Sequence, residues 1–439
     1  MFSRFIVDPD FGWHVAIGDY ILKNGEILKK DIFSWTMGGY VWGNSYLLYE
    51  VFVSWFLEKF GFVMLVFLFA AIGAFGFSLL IRKLNLIVGF LVFVVAFLPV
   101  ANLGVRPYVF SFLFFSLLLL ALEHGTYKKP IFSIVFFLAF ALWANVHRGF
   151  VFAILIFGTY LTLEFLSKKS VNRWALVSFV ASILGSFVTP FPFKLWSSGV
   201  VDDFRTWENL AYIAEWLPTA FFYPVNILFA ISGIVFVYML VFGNKKINPV
   251  WFMVGAFSFA FAFVSVNLIS FWVAIFVFLV SRHLELPFSV LRYFGRREWI
   301  FLGYISLICA FVIFINFVIG ANRRWGLSSA LISLKYPVSA IEYLNDNEIY
   351  GNMFNEYRWG GYLVWQGKGR RVFIDGRMAG WKRDGVSILG DYMKVSNGEC
   401  DVMSKYDIEI VIVSPSFNIG CFEGFHEVWS DDVSRVLVR

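Results

Sequence analysis

Charge is scarce in this chain. Of 439 residues only 15% are Asp, Glu, Lys or Arg, whereas 59% are hydrophobic, 56 are Phe, and mean hydropathy is +0.74. A soluble domain carries about a quarter charged residues, so that class is excluded. Cysteine is equally sparse, with three in the chain and no Cys-x-x-Cys or Cys/His cluster. A structural zinc site is thereby excluded. Internal repeats and low-complexity tracts are missing, apart from the Phe bias. The net charge of +6 does not indicate a nucleic-acid partner, because the basic residues are scattered through short loops.

What remains is a series of long apolar runs. They are continuous rather than alternating, which predicts membrane-spanning helices and not a β-barrel. Ten spans are expected, roughly at 61–81, 85–103, 107–122, 130–146, 149–166, 175–192, 221–242, 249–265, 267–281 and 299–320. Residues 45–58, interrupted by Glu50 and Glu58, predict an amphipathic helix lying in the membrane interface. One set of loops carries thirteen Lys and Arg, among them Lys128, Lys168 and Arg282. The other carries only Arg106, Arg148, Lys194 and Arg205. The first set is expected in the cytoplasm. The chain then divides into a first extracytoplasmic loop (1–60), a transmembrane part (61–320) and an extracytoplasmic α/β domain (321–439). Residues 1–60 hold seven acids and begin with neither a signal peptide nor an apolar segment. This leads us to expect a further span before them, missing from this chain; the alternative is an N-terminal tail translocated by the next span.

In the C-terminal part, Pro337–Asn347 and Tyr357–Gln366 predict helices. Ile349–Phe354, Arg371–Asp375, Ile408–Ser414 and Val436–Val438 predict strands. Cys309 lies in an apolar run. Cys400 and Cys421 lie in the polar part, where a disulfide is one reading and two unpaired small residues the other.

Three groups of residues carry chemistry. Asp8-Pro9-Asp10 has the composition of a helix start, with Asp8 as cap and Pro9 as first residue. That spacing puts Asp10 and His14 on one face, with Trp13 beside them. These are a candidate base or metal site, or simply a capped helix at the membrane surface. Arg106-Pro107 opens one span and Trp143-Ala144-Asn145-Val146-His147-Arg148 closes another on the same side. Arginine forks bind phosphate, and arginines at span ends also snorkel to headgroups. Asp202, Asp203, Arg205, Trp207, Glu208, Glu215 and Trp216 in the loop 193–220 suit sugar binding or a solvated loop equally. Asp375-Gly376-Arg377 suits a turn with a local ion pair.

Several of these motifs, Asp8-Pro9-Asp10-x-x-Trp13-His14-x-x-x-Gly18, Asp31-x-Phe33-Ser34-x-Thr36, Glu50, Arg106-Pro107, Trp143-Ala144-Asn145-x-His147, Phe354-Asn355-x-x-x-Trp359-Gly360-Gly361-Tyr362-Leu363 and Phe373-Ile374-Asp375-Gly376-Arg377, together resemble bacterial GT-C-type glycosyltransferase-like membrane proteins across nearly the whole chain. The resemblance implies a GT-C helical bundle using a polyprenyl-phosphate-linked sugar, with an essential acid in the first external loop. By position that acid is Asp10, with Asp8 beside it. It further implies donor-phosphate binding by Arg106, Arg148 and His147, and places Trp13, His14, Asp31 and Glu50 beside the substrate. Some members need a divalent metal, so Mg or Mn on Asp8 and Asp10 is an expectation. The expected partners are membrane lipid and a glycan, lipid or protein acceptor. The expected location is a bacterial cytoplasmic membrane. Two rival functions are a lipid-linked sugar flippase, which internal repeats and mid-membrane charge would favour, and a non-catalytic assembly subunit.

Overall fold

The computed structural model describes residues 8–81, 104–197, 216–242, 247–284 and 336–439, with Gly89, Val92 and Ile213 besides. The spans expected at 85–103 and 299–320, Cys309 and most of the loop 193–220 lie outside these. The chain is mainly helical with a small sheet region. In the apolar part come α1 (Phe11–Asn24), α2 (Leu47–Leu80), α3 (Tyr108–His124), α4 (Pro130–Ala144), α5 (Phe150–Lys168), α6 (Arg173–Gly185), α7 (Pro192–Ser197), α8 (Val225–Phe242), α9 (Pro249–Val264) and α10 (Ile269–His283). Among the described residues, four helices are long and apolar enough to cross a membrane: α2, α5, α8 and the run Val266–His283 that contains α10. The helices α3, α4, α6 and α9 are apolar but shorter, at 17, 15, 13 and 16 residues.

The break expected between an interfacial helix and the first span falls inside α2. Gly61 there has φ 77° and ψ 171°, a conformation only glycine adopts without strain. α10 is buried from Ile269 to Ser281 and forms the centre of the bundle. Ile131, Leu138, Leu184, Ile234 and Val241 point outward, giving the apolar surface that a lipid-facing bundle carries.

The two ends of the bundle differ in chemistry. At one end Arg282 forks onto Glu123 (Nε–Oε1 2.7 Å, Nη2–Oε2 2.6 Å) and also donates to the Leu80 carbonyl at 2.7 Å. This ties the C-termini of α2, α3 and α10 together. Lys128 and Lys168 converge there on Glu164, at 2.6 and 2.7 Å. At the other end lie Arg106, just before α3, and Arg148, just before α5.

The C-terminal part contains α11 (Val338–Asp346), β1 (Met353–Asn355), α12 (Gly360–Gln366), β2 (Lys382–Arg383), β3 (Val386–Ser387), α13 (Ile388–Ser396), β4 (Ile410–Val413), β5 (His426–Ser430) and β6 (Arg435–Val438). Its main sheet has the order β1-β4-β6-β5, parallel between β1 and β4 and antiparallel elsewhere. β4 is the fully buried Ile410-Val411-Ile412-Val413 run. Cys400 and Cys421 are joined by a disulfide.

Arg371–Asp375 is not a strand of this sheet. Val372 instead bridges Ser34 of the N-terminal segment, through Val372 N to Phe33 O (3.0 Å) and Trp35 N to Val372 O (3.2 Å). The Asn355 side chain accepts from Phe373 N at 2.8 Å and donates to Ile374 O at 2.9 Å, so the backbone groups that would extend a ladder are already taken. Residues 8–46 are stitched to the C-terminal part throughout. The Trp35 indole donates to Met353 O (3.0 Å) and the Thr36 hydroxyl to Phe373 O (2.6 Å). α1 crosses α12 so closely that a β-carbon on Gly12 would overlap the carbonyl of Gly361, and one on Gly361 would overlap that of Pro9. Glycine at both positions permits this approach.

Candidate functional site

The site begins with the turn Asp8-Pro9-Asp10. The helix starts at Phe11, two residues later than the sequence predicts. Asp8 accepts the Asp10 backbone N–H at 3.2 Å, which turns the chain before the helix. The Asp10 carboxylate does not cap α1. Its Oδ1 accepts the Trp13 indole N–H at 2.9 Å. It also lies against Gly376 of Asp375-Gly376-Arg377, where any β-carbon would overlap that oxygen. The C-terminal part therefore helps to hold Asp10.

Asp8 faces the bundle. Its Oδ2 stands 2.6 Å from Arg106 Nε, with the two side chains 13% and 29% exposed. A charge pair at this burial keeps access to solvent and ligands. Arg106 is fixed from behind, since the Tyr49 hydroxyl donates to the adjoining Val105 carbonyl at 2.9 Å.

His14 is buried and its Nδ1 lies 3.3 Å from Glu50 Oε1, while Asn44 donates to Glu50 Oε2 at 2.7 Å. Burial, and then the charges of His147 and Arg377, hold the His14 pKa well below its ordinary value. The imidazole is thus neutral at pH 7. Tyr46 links this pair to the arginines. Its ring is 4.9 Å from that of His14 and its hydroxyl accepts from Arg148 Nε at 3.2 Å. The ring of His147 lies 5.9 Å from Tyr46 and 4.1 Å from Tyr108. The α4–α5 corner is tied to α2 through Leu48 N to Asn145 O at 2.8 Å.

Asp8, Asp10, Trp13, His14, Glu50, Arg106, His147 and Arg148 thus form one connected cluster at one end of the bundle. The four residues expected beside the substrate are all enclosed by protein, with Trp13 and His14 each 4% exposed. Glu50 is 0% exposed, and Asp31 2%. Asp31 Oδ1 stands 2.8 Å from Arg377 Nη1, and its Oδ2 accepts from the Ser34 hydroxyl at 2.5 Å. Arg377 also forks onto Asp375, at 2.9 Å through Nε and 2.6 Å through Nη2. Phe33, Trp42 and Trp381 surround its guanidinium at 5.3 to 5.4 Å. Burial alone would lower the Arg377 pKa, but Asp375 and Asp31 raise it above its ordinary value. This triad locks the N-terminal segment to the C-terminal part and occupies both oxygens of Asp31.

The donor set does not suit a divalent cation. Asp8 is neutralised by Arg106 and Asp10 holds an indole N–H, whereas Mg or Ca needs about six converging oxygens. Among the described residues no group of three or more His, Cys, Asp or Glu could hold a metal. Asp8 and Asp10 are therefore not arranged as the Mg or Mn ligands that the resemblance implies.

Tyr46, Tyr108 and Ser111 join the site without having been singled out, because only the packing of α2 and α3 brings them to His14 and His147. Tyr336 is a further arrival. Burial, and then the carboxylates of Asp8 and Asp10, raise its pKa, which sets its hydroxyl within their field. No known family model matches this chain, and no curated protein is similar to it.

Proposed function

We propose that this protein is a GT-C-type membrane glycosyltransferase, moving a sugar from a polyprenyl-phosphate donor to a glycan, lipid or protein acceptor at the outer face of a bacterial cytoplasmic membrane. The observation that carries the proposal is the 2.6 Å pairing of Asp8 with Arg106. It brings the acids of the first loop and the arginines of the helix ends into one location. Asp10, oriented by Trp13, takes the proton of the acceptor hydroxyl. The hydroxyl oxygen attacks the anomeric carbon, and the bond from that carbon to the phosphate oxygen breaks with inversion. The leaving phosphate keeps the electron pair and is held by Arg106 with Arg148 or His147.

The location is supported in two ways. Lys128, Lys168 and Arg282 lie at the end of the bundle opposite the site, as a cytoplasmic end requires. The Cys400–Cys421 disulfide suits an oxidising compartment. The test supplies membranes with labelled polyprenyl-phosphate sugars and follows transfer. Wild-type protein should transfer label and Asp10→Asn should not; undiminished transfer by Asp10→Asn would remove Asp10 from this role. Movement of the intact lipid across reconstituted vesicles, with no transfer, would favour the flippase instead.

A further inference from the structure

His147 is 2% exposed, and the protein fixes which of its nitrogens carries the proton. The Trp143 indole N–H donates to Ser111 Oγ at 2.6 Å. The Ser111 hydroxyl keeps its own proton to donate, and His147 Nδ1 lies 2.6 Å away. The Gly149 backbone N–H donates to the same nitrogen at 3.1 Å. Nδ1 is therefore an acceptor, and the proton of the neutral ring sits on Nε2. A β-carbon at position 149 would stand 2.5 Å from Ser111 Oγ and 2.9 Å from Nδ1, so glycine is required for this arrangement. Among the described residues Nε2 has no hydrogen-bond partner. A buried N–H left so is destabilising, and such groups in native proteins call for an explanation. Its surroundings are the Tyr108 and Tyr46 rings, the second of which holds Arg148.

We infer that His147 is a neutral hydrogen-bond donor, locked by Ser111 and Gly149, that offers Nε2–H to a non-bridging oxygen of a phosphodiester bound between Arg148 and Tyr108. This deepens the proposed function and rests on it for the identity of the donor. Burial, and then the neighbouring Arg148 charge, keep the His147 pKa well below its ordinary value. The contact is thus present across neutral pH. A neutral donor adds no charge beyond that of Arg148, since Arg106 is paired with Asp8, and one positive charge matches the single negative charge of a phosphodiester.

The test measures binding of geranyl methyl phosphate, a short prenyl phosphodiester, to the full-length protein in neutral detergent. His147→Asn has no donor at the Nε2 position and should bind about tenfold more weakly or worse. His147→Gln places an amide N–H near that position and should stay within about threefold of wild type. Unchanged binding by His147→Asn, with a normal thermal unfolding profile, would overturn the assignment. Equal binding of phosphatidylglycerol to the same His147-dependent site would assign it to a lipid headgroup and overturn the donor role. His147-dependent binding without sugar transfer would leave this inference standing and defeat the transferase. Asp10-dependent transfer with a donor KM unaffected by His147→Asn would do the reverse.

Discussion

Arg106 Nε meets Asp8 Oδ2 at 2.6 Å, joining the first turn of the N-terminal segment to the start of a bundle helix. Both side chains keep some exposure, so the pair contributes about 1 kcal/mol or less to stability. Its larger effect is to aim the guanidinium. Asp8→Asn should leave thermal unfolding nearly unchanged while raising the donor KM. Arg106→Lys keeps the charge but loses the planar fork, and should raise the donor KM by about tenfold. Initial rates against donor concentration check both.

Asp31 and Arg377 behave differently, because they are closed off from solvent. Removing one partner of a buried pair leaves an uncompensated charge, at a cost of about 3–5 kcal/mol. Arg377→Met, which leaves the buried Asp31 and Asp375 carboxylates without a counter-charge, should therefore lower the thermal midpoint sharply and increase proteolysis of the N-terminal segment. Donor KM in the fraction that remains folded should be close to wild type. Differential scanning fluorimetry with limited proteolysis reads out both effects.

His14 gives a pH signature. Its folded pKa lies well below the ordinary value of 6.5, so below about that pH the unfolded chain binds a proton that the folded protein refuses. Stability is then fully present above pH 6.5 and falls as the solution is acidified, by at most about 1.4 kcal/mol per pH unit for one such group. His147 adds a contribution of the same sign. Glu50, which faces His14, has its carboxyl pushed up to about 8 by burial and gives the opposite slope over that range. The His14 contribution is therefore read from thermal midpoints between about pH 5 and 8 as the difference between wild type and a non-titrating variant. The acid limb should be shallower in His14→Gln, whose amide does not titrate.

The disulfide closes a loop with a sequence separation of 21 residues. A loop of that size corresponds to about 3 kcal/mol in the chain-entropy account. Replacing both Cys400 and Cys421 by Ser should lower the midpoint of the C-terminal part accordingly. Mass spectrometry of thiol-blocked protein should show both cysteines protected before reduction and alkylated after it.

Much of this architecture is legible in the sequence, and the failures have identifiable causes. β4 is visible because four consecutive β-branched residues are buried on both faces. The break in α2 is visible because Glu50 and Glu58 interrupt the apolar run before residue 61, although the glycine that makes it is seen only in the backbone. β5 is not, since its mostly exposed His426-Glu427-Val428-Trp429-Ser430 pattern has little apolar alternation. Arg371–Asp375 reads as a strand and is one by composition, but its partner is a lone bridge to Ser34, and no local pattern specifies a partner so distant. At the site, acids and arginines stand out because charge is rare here. Ser111, Tyr46 and Tyr108 do not, because serine and tyrosine are common on apolar helices and acquire their role only from a neighbour in space. Asp31 misleads for the opposite reason, since a lone acid near an active segment looks available until Arg377 and Ser34 are seen to enclose it.

The stitching of residues 8–46 onto Met353, Val372, Phe373 and Arg377 has a consequence for biogenesis. Residues 8–46 leave the ribosome about three hundred residues before the surfaces that receive them. Until then Asp8 and Asp10 lack the backbone against which they are set. Maturation of this centre is therefore post-translational, and a polypeptide interrupted before Arg377 would insert its helices without ever assembling the acidic corner.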